Sequence, residues 1–191
     1  MSVLGIFEIG HPVLRERAHE LTSDELASPR IQRLIDDMIE TMRAAGGAGL
    51  AANQVGQTVR VAVAEVDDNP RYPYKPPFPL TVLVNPTIEP LDDETVQINE
   101  GCLSVPGLRG ELPRSINVRL RYLDRDGAPH DEVRRGLTAG TLQHEVDHLD
   151  GVLFLDRVTD RRTLTTWEQF ERFHRDEFVT RITAFTDRVG S

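Results

Sequence analysis

Gln143-His144-Glu145-Val146-Asp147-His148-Leu149-Asp150-Gly151 sets two histidines four residues apart, with a glutamate directly after the first. On an α-helix, residues i and i+4 share one face about a turn apart, so both imidazoles can reach one ion. Glu145 projects from the same turn and can take a proton from a water on that ion. The stretch therefore predicts a helix that forms one wall of a hydrolytic metal site. Two histidines need at least one more protein ligand, with a position kept open for water or substrate. The extended pattern His-Glu-x-x-His-x-x-Gly-x-x-His is met at Gly151 but fails at its last position, Phe154. Glu168 and Glu171 lie in a later helical pattern and have no defining spacing. Upstream stands the single cysteine of the chain, Cys102, in Glu100-Gly101-Cys102-Leu103-Ser104. A lone cysteine serves as a thiolate ligand or as a small buried apolar residue, and by residue type alone the second is commoner.

The rest of the chain supplies the frame. Ser28-Pro29 reads as an N-cap followed by proline at the first helical position. Ile31, Leu34, Ile35, Met38, Ile39 and Met42 follow as an apolar stripe of helical period, which Gly46-Gly47 stops. Strands are expected over 59–66, 80–85 and 116–123, with a turn at Asp126-Gly127. Between the first two lies a Pro- and Tyr-bearing connection, 67–79, longer than a hairpin needs: a flexible link, or less expectedly a lid or contact surface. The metal helix is expected to begin near Leu137, with strands holding the Cys102 and Gln54 motifs against it. From Thr163 onward, Trp167, Phe170, His174, Phe178, Ile182 and Phe185 trace one long helix that packs on the body or on a sister subunit. The fold expected is α+β: mixed, mostly antiparallel strands around a central metal-binding His-Glu-x-x-His helix, with a C-terminal helix. With 191 residues, one domain is the default. We divide it into a catalytic region, 1–158, and a helical extension of the same domain, 159–191.

Three segments together resemble the signature motifs of peptide deformylases: Gly47-Ala48-Gly49-Leu50-Ala51-Ala52-Asn53-Gln54, then Glu100-Gly101-Cys102-Leu103-Ser104, then Gln143 to Gly151. They come in the order that family has, and the resemblance runs from about His11 to Val158. Asn53 stands where many members have proline, at a variable position of the motif. The resemblance implies that Cys102, His144 and His148 ligate one divalent metal, ferrous iron in the cell, with zinc, nickel or cobalt as alternatives in isolated protein. It implies Glu145 as general base and then general acid, and Gln54 with the Leu103 backbone N–H as donors to the developing oxyanion. It places Gly49, Glu100, Gly101 and Arg109 along an extended peptide substrate. Ala48, Ile98, Leu137 and Gly140 fall where the family builds its methionine slot, and two of these are small enough to suggest a wider pocket. Asp147 is expected to support a ligand histidine or nearby backbone. The helical tail resembles the deformylase type that ends in a helix rather than a strand.

The implied activity is removal of formate from N-formylmethionine at the start of new polypeptides. Two enzyme alternatives are an amidase of the same kind with shifted preference and a metallopeptidase of the His-Glu-x-x-His type. The non-enzyme alternative is a metal-binding or interaction domain that kept the motifs, against which the intact ligands and Glu145 argue. The net charge of −9 and the absence of a basic run disfavour direct nucleic-acid binding. One cysteine agrees with a reducing compartment. The start, Met1-Ser2-Val3-Leu4-Gly5, has no basic region and no long apolar run follows. A cytoplasmic protein without membrane contact is expected, acting on N-formylmethionyl nascent chains in transient proximity to the ribosome.

Overall fold

In the computed structural model, residues 2–67 and 72–190 are described. Thr22 and Glu25 bond each other's backbone to open α1 (Ser23–Ala27). Ser28 then caps α2 (Pro29–Ala44), accepting from Ile31 N at 3.4 Å, with Pro29 in the first turn. The predicted stripe is the buried face: Ile31, Ile35, Met38, Ile39 and Met42 pack with Leu50, Val61 and Val63.

The strands are β1 (Gly49–Ala51), β2 (Val61–Val66), β3 (Phe78–Pro90), β4 (Thr95–Cys102), β5 (Val105–Ser115), β6 (Asn117–Leu123), β7 (Pro129–Arg135) and β8 (Thr165–Thr166). They form a five-stranded sheet in the order β1-β2-β3-β6-β7 and a three-stranded sheet β4-β5-β8. The ladders are all antiparallel among the described residues, with one isolated parallel bridge between His19 and Val59. β3 runs well past the expected 80–85 because a register shift between Val84 and Thr87 lets it bend and pair onward with β6. Asn85 occupies the bend at φ 50°, and its side-chain amide bonds both Leu21 N and Leu21 O at 2.9 Å. In the 67–79 connection, residues 68–71 lie outside the described residues.

α3 (Gly136–Leu149) carries the paired histidines and is buried around most of its circumference. It lies against β1, β2 and β3 of the larger sheet and β5 of the smaller one. Gly136, at φ 57°, turns the chain from β7 directly into it. After α4 (Phe154–Arg157), the tail differs from the single helix expected. It forms α5 (Trp167–Phe173) and α6 (Arg175–Val189), broken at His174, whose φ of −124° leaves the helical region. His174 is exposed, not part of the apolar face. Phe170, Phe178, Ile182 and Phe185 are buried against Ile98, Ile116 and Leu137, so the tail packs on its own body. No helix of the described residues is long and apolar enough to cross a membrane.

Candidate metal centre

Cys102 is the last residue of β4, and its ladder partner is Val105, so Leu103-Ser104 make a two-residue turn at the sheet end. This turn aims the thiol at α3. Cys102 Sγ lies 3.1 Å from His148 Nε2, and His148 Nε2 lies 3.2 Å from His144 Nε2. The three ligand atoms fall within 4.8 Å of one another. A sulfur and two imidazole nitrogens converging from two elements match a three-ligand site with an open position.

The second nitrogens differ in their surroundings. His144 Nδ1 meets Glu100 Oε2 at 2.8 Å, which leaves Nε2 directed at Cys102 and His148. Burial opposes the charged form of His144, but hydrogen bonds to Cys102 and Glu100 outweigh it and hold the pKa well above its ordinary value. His148 has no partner for Nδ1 among the described residues, and burial together with the nearby His144 charge keeps it well below the ordinary range. A neutral imidazole is the ligating form. Glu100 is in turn clamped by Arg114, at 2.8 and 2.9 Å. Burial would raise its pKa, yet the Arg114 charge and hydrogen bonds from Arg114 and His144 hold it well below the usual carboxylate range. Asp147 supports no ligand histidine. Its carboxylate bonds Arg114 at 2.6 Å and also Arg157. Asn53 takes the helix-bracing role instead, its amide donating to His148 O.

Glu145 is buried, and its Oε2 has no hydrogen-bond partner among the described residues. Burial pushes its pKa up to about 7, with the His144 and Lys75 charges pulling the other way. An unpaired buried carboxylate near neutrality is a proton acceptor in waiting. The chain approaches it as closely as glycine allows: a Cβ on Gly49 would lie 2.5 Å from Glu145 Cδ. Gln54 sits in a short 3₁₀ turn (Ala52–Val55) after β1, not on a strand. Its Oε1 accepts from Ala51 N at 2.8 Å, and its Nε2 donates to Ser104 Oγ at 3.0 Å with Cys102 Sγ at 3.5 Å.

These side chains share a cleft of about 640 Å³, its mouth included. Ala48, Gly49, Gln54, Ile98, Glu100, Gly101, Cys102, Leu103, Arg109, Leu137, Gly140, His144 and Glu145 line it. His148 stands behind, reached through Cys102 and His144. Gly140 does not widen the cleft as its size suggested, because Ile98 Cδ1 fills its side-chain space, 2.7 Å from a Cβ built there. Arg109 is fully buried, its guanidinium 4.2 Å from the Trp167 ring and 4.6 Å from that of Phe170, with Nε bonding Asn99 Oδ1 at 2.6 Å. Sequence reasoning missed Tyr72, Tyr74, Lys75, Asn99 and Thr141, which also line the cleft. The spacing of Thr141, four residues after Leu137 on the metal helix, could have signalled it. The length of the 67–79 connection marks the segment of Tyr72, Tyr74 and Lys75 but not which residues face the cleft, and nothing in sequence flags Asn99.

Comparison with known proteins supplies the lineage. Residues 3–163 match the family model of polypeptide deformylase. A peptide deformylase of Leptospira biflexa is 44% identical over 159 residues, 83% of this chain and 89% of that one. One from Pseudomonas aeruginosa is 40% identical over 177 residues, 93% of this chain and 99% of that one. The Met-Ala-Ser-bound crystal structure of a class I type b peptide deformylase from Acinetobacter baumannii superposes with a TM-score of 0.79 at 40% identity, covering 83% of this chain and 100% of that one. Motifs that sequence order leaves apart, a cysteine brought onto two helical histidines and a match across most of the chain agree: this chain belongs to the polypeptide deformylase family.

Proposed function

We propose that the chain hydrolyses the formyl amide of N-formylmethionyl peptides, releasing formate and a free amino terminus. The observation that carries this reading is the convergence of Cys102, His144 and His148 beside the unpaired carboxylate of Glu145. α3 is then the central metal-binding helix, and these three side chains would hold one divalent ion. A thiolate with two imidazoles suits ferrous iron, which we assign in the cell, with zinc, nickel or cobalt as substitutes. When bound, the metal supplies Lewis-acid polarisation and lowers the pKa of water from 15.7 toward ~7.

The chain's own residues do the rest. Glu145 takes the proton of the attacking water and returns it to the amide nitrogen as the carbon–nitrogen bond breaks, so the amine leaves neutral. The formyl oxygen gathers negative charge during attack. Gln54 Nε2 and the Leu103 N–H donate to it, and Gln54 is held for this by Ala51 N at 2.8 Å. β1 and β4 are edge strands of their two sheets, and Gly49 and Gly101 on them line the cleft. An extended peptide can add between them by backbone hydrogen bonds. Ala48, Ile98, Leu137 and Gly140 receive the first side chain, and Glu100 and Arg109 stiffen the walls. Residues 1–158 form the catalytic region and 159–191 a helical extension that braces it through Arg109 and the Ile98 cluster. The setting we assign is cytoplasmic, on nascent chains close to the ribosome.

The test is formate release from formyl-Met-Ala-Ser by ferrous protein prepared without oxygen, with Glu145→Ala alongside. We expect formate from the parent and at least a hundredfold less from the variant at equal metal content. No formate from fully metallated parent would overturn the reading.

A further inference from the structure

The cleft that holds the pocket assigned to the first side chain is lined by polar groups as well as by Ala48, Ile98, Leu137 and Gly140. Lys75, on the segment leading into β3, reaches into the cleft, and its Nζ donates to Thr141 Oγ1 at 2.8 Å. Thr141 is buried on α3, one turn from Leu137, whose carbonyl takes its hydroxyl proton at 3.2 Å. The ammonium also lies 4.9 Å from the centre of the Tyr72 ring. An ammonium has three N–H donors, and Thr141 is the one hydrogen-bond acceptor it has among the described residues. A methyl thioether packed here would leave the remaining donors unsatisfied, at a cost of desolvation.

We propose that Lys75 and Thr141 form a polar end to the side-chain pocket, which accepts a first residue bearing a neutral hydrogen-bond acceptor at the position of the methionine sulfur. Methionine sulfoxide has that chemistry, keeping methionine's length while presenting one strongly accepting oxygen. A carboxylate does not fit as well. The Glu100 and Glu145 charges act on Lys75 from the same cleft, beside those of Arg109 and Arg114, so a further anion meets like charges as well as the ammonium. Burial lowers the Lys75 pKa to about 8, so the ammonium persists at neutral pH and keeps its donors. The inference rests on the deformylation reading, since it names which formylated peptides the site takes.

The experiment compares kcat/KM for formyl-Met-Ala-Ser, its methionine-sulfoxide form and its norleucine form, in the parent, Lys75→Met and Lys75→Arg. We expect the parent to cleave the sulfoxide within about threefold of methionine. Lys75→Met should lower the sulfoxide-to-norleucine ratio about tenfold, mainly through KM, the size of one charge-assisted hydrogen bond. Lys75→Arg, which keeps donors, should restore most of the ratio. Calorimetric binding of the unformylated sulfoxide peptide should follow the same order. A parent that cleaves the sulfoxide a hundredfold more slowly than methionine overturns the proposal by itself, whatever the variants do. A ratio unchanged in Lys75→Met also overturns it and leaves Lys75 as a prop for its segment. If no formylated peptide is cleaved, the deformylation reading falls too, and that result differs from loss of the sulfoxide alone.

Discussion

Gly49 shows how much of the site is decided by the absence of one atom. A Cβ there would lie 2.5 Å from Glu145 Cδ and closer still to its oxygen. Because Gly49 is also paired into β1 opposite Ala64, the strand cannot step aside without losing its ladder. Gly49→Ala should therefore displace the carboxylate while leaving Cys102, His144 and His148 in place. The expected result is about a hundredfold loss in kcat/KM with metal content unchanged, the scale of a 1 Å misplacement of a reacting group. Activity within threefold of the parent would show that Glu145 has room to move. The sequence revealed Gly49 through its motif but not the reason for it, which depends on a helix 96 positions away. The same holds for Asn53, whose bond to the His148 carbonyl crosses between those two segments. Lys75 was invisible for a further reason: no local pattern distinguishes a pocket lysine from a solvated one.

Elements were legible where one periodicity ruled them. α2 has its cap, proline and stripe in a single run, and all three act as the residue types predict. β4 was legible only as a strand holding the Cys102 motif, and β5 was not: Gly101, Pro106, Gly107, Gly110 and Pro113 are turn formers by type, and mutual pairing with the cover of α5 makes strands of these segments. β7 was missed because it is an edge strand with no buried residue: His130, Glu132 and Arg134 take its less exposed face, and Val133 points outward. The C-terminal stripe was right in period and wrong in continuity, since periodicity says nothing of a break at His174. β3 is the informative case, for its length depends on the bend at Asn85. That side chain bonds both backbone groups of Leu21 while holding φ 50°, a conformation asparagine tolerates better than most residues. Asn85→Ala should cost about 2–3 kcal/mol in urea unfolding, from two unpaired backbone groups and a strained φ. Asn85→Gly removes the strain but not the lost bonds and should recover about 1 kcal/mol. Equal stability of alanine and glycine variants would mean that the hydrogen bonds alone hold the bend.

At the scale of the whole molecule, the smaller sheet and the metal helix are tied by one buried cation. Arg114 on β5 grips Glu100 on β4 at 2.8 and 2.9 Å and Asp147 on α3 at 2.6 Å. Arg114 is nearly inaccessible, and although burial opposes its charge, Glu100 and Asp147 raise its pKa above the ordinary arginine value. Glu100 in turn orients His144, so the metal geometry is coupled to the packing of the smaller sheet on α3. Removing the cation leaves Glu100 with His144 alone and Asp147 with Arg157 alone, and breaking a buried pair from one side typically costs about 3–5 kcal/mol. Arg114→Met, a change of similar length, should show that loss in the chelated, metal-free protein at pH 7. The pH dependence has a definite sign. The folded Glu100 pKa lies below its unfolded value, so the parent holds this stability fully above the ordinary carboxylate range, ~4.3, and loses it as pH falls below. In the variant Glu100 keeps His144 but loses the larger Arg114 charge, so burial raises its folded pKa and the penalty is relieved as pH falls from 7 toward ~4.3. Parent and variant should thus converge between pH 7 and pH 4 in urea midpoints. A gap of equal size at both values would place the loss in packing around the arginine stem rather than in the charges it holds together.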